Sequence, residues 1–188
     1  MWGGATSRAS VRPRPGTYPG DMTEPDSAAA LLTAGERAQI ESCLRENRAE
    51  ILGLLDGLTE EQARRRLVPS LTTLLGLVKH AAFVERVWFD VALAGRTRAE
   101  LGLPEAIDDS FRLTQHDSID SVVSAYRAAW EDADETAAKF SLDDLAKHNR
   151  RGPLSLRWIY LHLIEELARH AGHGDILREQ ILAADAPS

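Results

Sequence analysis

The stretch 158–181, WIYLHLIEELARHAGHGDILREQI, sets Glu166 and His170 four residues apart. On a helix that spacing points both side chains the same way, with Cβ atoms about 5 to 6 Å apart, so both can reach one ion. Zinc and similar metals accept imidazole nitrogen and carboxylate oxygen at about 2.0 to 2.2 Å. At roughly 100° per residue, Ile159, His162, His170, His173 and Leu177 fall within roughly 40° of Glu166, and Leu163 and Ile181 within roughly 60°. The polar groups therefore share a stripe with the aliphatics, while Glu165, Arg169, Arg178 and Glu179 mark the opposite side. A carboxylate on a core-facing stripe is costly unless it is paired or ligates a metal.

A second stretch, SLTTLLGLVKHAAFVERVWFDVAL, places His80 on the stripe of Thr73, Leu77, Val84, Val87 and Val91, away from Lys79 and Arg86. Alone, an imidazole on an apolar face reads as a hydrogen-bonded core histidine. Beside a Glu and a His on the core face of another helix, it completes a set of three ligands. Three protein ligands leave coordination positions open, as a catalytic metal site requires. His173 is a fourth candidate, as ligand, general base or partner of a ligand, and His162 reads as structural or as a hydrogen-bond partner.

These residues need helices to hold them, and the periodicity predicts four. The first spans about Thr33 to Leu58. The second runs from a cap at Ser70, just after Pro69, to about Ala94. The third covers about Ser118 to Phe140, with Val122, Val123, Tyr126, Trp130 and Ala137 at helical intervals. The fourth begins near Leu154, with Ser155 as cap, and reaches about Ala184. The segment SLDDLAKHNRRGP reads as a loop with at most one short turn, and no alternating β pattern appears. The expectation is an all-α four-helix bundle over residues 33–185. Residues 1–32, rich in Gly, Pro, Ser and Arg and without apolar period, read as a disordered extension. Met22 is an alternative start to Met1.

A net charge of -7 and a pI near 5.4 argue against nucleic acid, whose phosphates such a surface repels. No apolar run approaches the ~20 residues that span a bilayer. Cys43, the single cysteine, excludes an internal disulfide and suits the cytoplasm; it reads as a packed or surface thiol. Asp175 and Arg178 read as a solvated pair, His116 and His148 as surface residues, and Trp88, Trp130 and Trp158 as core. Arg150 and Arg151 read as solvated charges, with contact to an anionic or sugar-bearing cofactor as the alternative. Arg supplies 19 of the 22 basic residues, a bias of GC-rich coding that points to a high-GC bacterium.

The run SLTTLLGLVKHAAFVERVWF, followed by HLIEELARHAGHGDILRE, resembles the DinB/YfiT-like superfamily of small metal-binding four-helix proteins. The resemblance covers most of residues 35–183, and RHAGHGDILRE looks most like the actinobacterial branch. It implies that His80, Glu166 and His170 are the metal ligands. Many members carry a third His where this chain has Glu166; the mycothiol-dependent maleylpyruvate isomerase branch has a carboxylate there. The implied activity is a metal-dependent S-transferase joining a low-molecular-weight thiol to an electrophile, with mycothiol favoured by the coding bias. The implied metal is divalent, zinc first, with nickel, iron or manganese as alternatives, and it would hold the sulfur as thiolate. His173 is then the expected catalytic helper. Two other readings stand beside this one: a non-enzymatic metal-binding stress or resistance protein, and a metal-free hydrogen-bonded network. Apolar helix faces permit a homodimer.

Overall fold

The computed structural model describes residues 30–186. The disorder expected of residues 1–32 therefore falls, up to residue 29, outside the described residues; Ala30 to Ala34 form a helical turn, with Thr33 N–H donating to Ala30 O. The elements are α1 (Glu36–Gly53), α2 (Glu60–Arg64), α3 (Leu74–Glu85), a π-helical continuation (Arg86–Leu93), a 3₁₀ turn (Ile107–Phe111), α4 (Ile119–Ala137), β1 (Leu145–Ala146), β2 (Leu154–Ser155) and α5 (Leu156–Ala184).

Local chemistry sets most of these boundaries. Ser118 caps α4 with a reciprocal pair of hydrogen bonds to Ser121, and the Ser155 hydroxyl accepts from Trp158 N–H at 3.2 Å, as its position before the apolar run predicts. The cap expected at Ser70 is displaced to Thr73. Thr73 is the last extended residue before α3, and its hydroxyl accepts from Gly76 N–H at 3.0 Å. The Ser70 hydroxyl instead donates to Thr72 Oγ1 within the preceding turn. Helix α1 stops at Gly53, short of the predicted Leu58, and Arg178 of α5 donates to Leu54 O at 3.0 Å and Asp56 O at 2.6 Å. The solvated-pair reading of Arg178 is thus corrected: its guanidinium serves carbonyls that the end of a helix leaves without partners.

Helices α1 and α5 pack together, α3 packs on α4, and α3 joins the two pairs by also touching α5, giving an all-α bundle. Every residue of α3 except Lys79 is buried. The single stripe expected there gives way to burial all round, which suits a helix at the centre of a bundle. Leu77, Tyr126, Ile159 and Leu163 lie at its core, each at most 1% exposed. Across this core Arg48 of α1 holds Glu85 of α3 with two hydrogen bonds of 2.7 and 2.8 Å, and reaches Asp134 of α4 at 2.7 Å. Trp130, read as core, is half-buried, with Arg48 over its ring and its indole N–H donating to Asp134.

Two departures from simple helical periodicity matter for the site. The run predicted as one helix to Ala94 changes pitch after Glu85, where Ala94 N–H reaches back five residues to Phe89 O at 3.0 Å. The expected loop before α5 contains a minimal antiparallel ladder, Leu145 opposite Ser155 and Ala146 opposite Leu154. The ladder folds residues 147–153 back toward the π segment, and His148 N–H donates to Ala92 O at 3.3 Å. Cys43 is exposed on α1. Among the described residues, no helix is long and apolar enough to cross a membrane.

Candidate metal centre

Helices α3 and α5 bring His80, Glu166 and His170 together. Each offers one ligand atom, and the three atoms lie within 4.8 Å of one another. His170 Nε2 is 3.2 Å, and His80 Nε2 3.5 Å, from the same carboxylate oxygen, Glu166 Oε1. Ligands at about 2.0 to 2.2 Å around a tetrahedral ion stand about 3.3 to 3.6 Å apart; the His80 separation lies in that span and the His170 separation just below it. Glu166 Oε2 faces Arg169 at 3.4 Å. Arg169, assigned to the outer side of the helix from its register, thus reaches back to the site because its side chain is long and flexible.

The state of the His80 ring follows from its neighbours. Its Nδ1 lies 2.7 Å from Ser110 Oγ, and the Ser110 hydroxyl donates its only proton to Ile107 O. Ser110 must therefore accept, so His80 carries its proton on Nδ1 and presents a bare lone pair at Nε2. Burial pushes the His80 pKa below its ordinary value, which keeps the ring neutral. The hydrogen bond with His170 holds the Glu166 carboxyl well below the usual carboxylate range, against burial. A bare nitrogen then faces a carboxylate oxygen. Two acceptors at 3.5 Å repel unless a cation lies between them, and His80 Nε2 is buried with no hydrogen-bond partner. The residues fit a divalent ion.

Ser110 and Phe111 come from the 3₁₀ turn, which no periodicity marked. Phe111 stacks on the His80 ring at 3.9 Å between centroids. The turn comes this close because Gly76, one helical turn before His80, has no Cβ; one built there would stand 3.0 Å from Phe111 O. Gly76 makes the room, and His80 uses it.

A cleft of about 560 Å³ opens on His80 and Glu166. Its wall includes the apolar side chains of Phe83, Val84, Val87 and Val91, and it also receives Arg98, His148, Arg150 and Arg151. His148, Arg150 and Arg151, all read as surface groups, are indeed exposed, but the β ladder turns them onto the cleft rim. Trp88, Trp158 and His162 form one half-buried ring cluster, with His162 stacked on Trp158 at 4.8 Å and edge-on to Trp88 at 5.1 Å. Of these, Trp88 and His162 line the cleft. Burial lowers the His162 pKa. His116 is exposed and lies off the cleft. His173 is exposed on α5, outside the cleft, and meets the triad through a ring contact with His170, 5.9 Å between centroids.

The family model for Mycothiol-S-transferase matches residues 39–183, a span that contains the four long helices from within α1 almost to the end of α5 and all three triad residues. The chain belongs to the mycothiol-S-transferase family. Comparison with curated protein sequences gives no match.

Proposed function

We propose that the protein is a metal-dependent S-transferase that joins mycothiol, through its sulfur, to a small electrophile. The observation that carries the reading is the bare, buried His80 Nε2 facing the Glu166 carboxylate at 3.5 Å, with His170 on the same oxygen, in a chain of this family. His80, Glu166 and His170 would hold the ion, zinc first among the candidates, since two imidazoles and one carboxylate match its ligand preferences. When bound, such an ion favours thiolate over thiol at neutral pH, and thiolate is the nucleophilic form.

The chain's own groups do the remaining work. Ser110 and Phe111 keep His80 in one tautomer and one plane. Arg169 steadies the outer oxygen of Glu166. The apolar wall of Phe83, Val84 and Val87 keeps water from the electrophile beside the triad. His173, through its contact with His170, orients that ligand and does not itself touch the substrate.

Elemental analysis of the purified protein, followed by mycothiol consumption with a chlorobimane, tests the proposal. The expected result is a single bound divalent ion, conjugation that disappears on chelation and returns with metal, and loss of both in His80→Ala and Glu166→Gln. Bound metal without conjugation across a panel of bacterial thiols would leave only the metal-binding reading. Absence of metal binding would remove the site.

A further inference from the structure

Three guanidinium groups on the cleft wall, Arg98, Arg150 and Arg151, form no ion pair with a carboxylate among the described residues. This is unusual placement in a chain with 29 acidic residues and a net charge of -7. Like charges around one partly enclosed space repel, and the low dielectric of its walls strengthens that repulsion. Two acidic side chains share the wall: Glu166, engaged by the histidines and Arg169, and Glu105, which is exposed and forms no ion pair among the described residues. The wall therefore keeps an excess of positive charge.

Two of the three arginines are already oriented. Arg98 Nη1 donates to Pro104 O at 2.9 Å and Glu105 O at 2.8 Å, and its guanidinium lies over Phe83 at 5.3 Å. Arg151 lies over Trp158 at 5.6 Å. Each keeps N–H donors for a ligand while the ring holds the group in place. The same cleft is lined by the apolar side chains of Phe83, Val84, Val87 and Val91.

We propose that Arg98, Arg150 and Arg151 form an anion subsite, and that the electrophile which this cleft accepts is an apolar, ring-sized molecule carrying a carboxylate. The assignment rests on the S-transferase reading for the word electrophile, and on geometry for the anion. Apart from its thiol, mycothiol carries no ionisable group, so the cationic wall is matched to the second substrate. In an aryl chloride of this kind the sulfur forms a bond to the ring carbon, the carbon–chlorine bond breaks and chloride leaves; the thiol proton is released to solvent.

The test is binding without thiol. Calorimetric titration of the full chain with 4-chloro-3-nitrobenzoate and with the neutral 4-chloro-3-nitrobenzamide should give at least about tenfold tighter binding of the benzoate, since several guanidinium groups meet one carboxylate and such bidentate pairs are strong. That preference should shrink with added salt. The pair Arg150→Ala and Arg151→Ala, in the exposed rim, should erase most of it, while Arg150→Lys with Arg151→Lys should keep part of it. Arg98→Gln tests the third group without stripping every donor from the 98–105 loop. Equal affinity for the two ligands, or a preference unchanged in the alanine pair, would overturn the anion subsite. Because no thiol is present, a negative conjugation assay leaves this result readable, and the reverse also holds.

Discussion

Ser110 Oγ accepts a hydrogen bond from His80 Nδ1 at 2.7 Å, and because Ser110 spends its own proton on Ile107 O, the arrangement admits one tautomer of the imidazole. A hydroxyl on a connecting turn thereby determines which nitrogen of a helical residue faces Glu166.

Ser110→Ala should consequently weaken metal binding by about 10- to 100-fold, the usual effect of losing a partner that orients a ligand. Competition against a chromogenic chelator measures it. Circular dichroism should show an unchanged helical content, because the hydroxyl supports no helix. Retained affinity would mean that Phe111 stacking alone orients the ring.

Glu85 is 0% exposed, and Arg48 1%, so each depends on the other for its charge. Glu85→Ala should cost about 3 to 5 kcal/mol in urea unfolding, because it leaves a buried guanidinium short of its main partner. Asp134→Ala should cost much less, since that carboxylate is half exposed and solvent screens it. Replacing the inner pair together, Arg48→Met with Glu85→Leu, should recover most of the loss.

Gly174 lies where α5 crosses the end of α1, and a Cβ there would stand 2.4 Å from Leu54 Cδ1. Leu54 is 1% exposed and has little room to retreat. Gly174→Ala should destabilise the fold, since overpacking of about 1 to 3 kcal/mol outweighs a helix-propensity gain of at most about 1 kcal/mol. A thermal melt checks the sign. Leu54→Ala should cost less in the Gly174→Ala background than alone, which a double-mutant cycle resolves.

Asp117 gives the fold an acid limb. Burial opposes its charge, but hydrogen bonds from Thr114 and Lys79 win and bring its pKa below the ordinary 3.8. Lys79 Nζ sits 2.9 Å from its carboxylate. With the folded pKa depressed, the stabilisation is fully present above about pH 4 and is lost as pH falls through the folded value. Asp117→Asn should flatten stability against pH below about pH 4 while lowering stability at pH 7. Unfolding midpoints measured across that range decide it.

How much of this was legible beforehand depends on the range of each interaction. Glu166 and His170 sit four apart on one helix, and His80 interrupts an apolar stripe, so a periodic signal marked all three. Ser155 and Ser118 announced helix starts for the same local reason. Ser110 gave no signal: it lies in an aperiodic connection, and its partner is 30 residues away. The ion pair of Arg48 and Glu85 was equally hidden, because each residue looks like an ordinary helical charge until a third helix closes over it. Arg150 and Arg151 were read as solvated, and they are exposed; only the short β ladder, a contact of two residues with two others, shows that they flank a cleft. The change of pitch at Arg86 has no residue-type signature, since it concerns which carbonyl each N–H chooses.

That change of pitch bears on ancestry. A π turn accommodates an additional residue over nearly the same axial length as an α turn. Everything upstream of Arg86, His80 included, keeps ordinary α geometry, while Trp88, Val91 and the chain leading to Arg98 follow the altered phase. Removing one codon between 86 and 93 would let the helix relax to the commoner winding, re-aiming the side chains within the segment while the chain beyond it keeps nearly its present phase. The part of the cleft wall that Val87, Trp88 and Val91 supply could thus be reshaped in a single insertion or deletion, with His80 and its helix untouched.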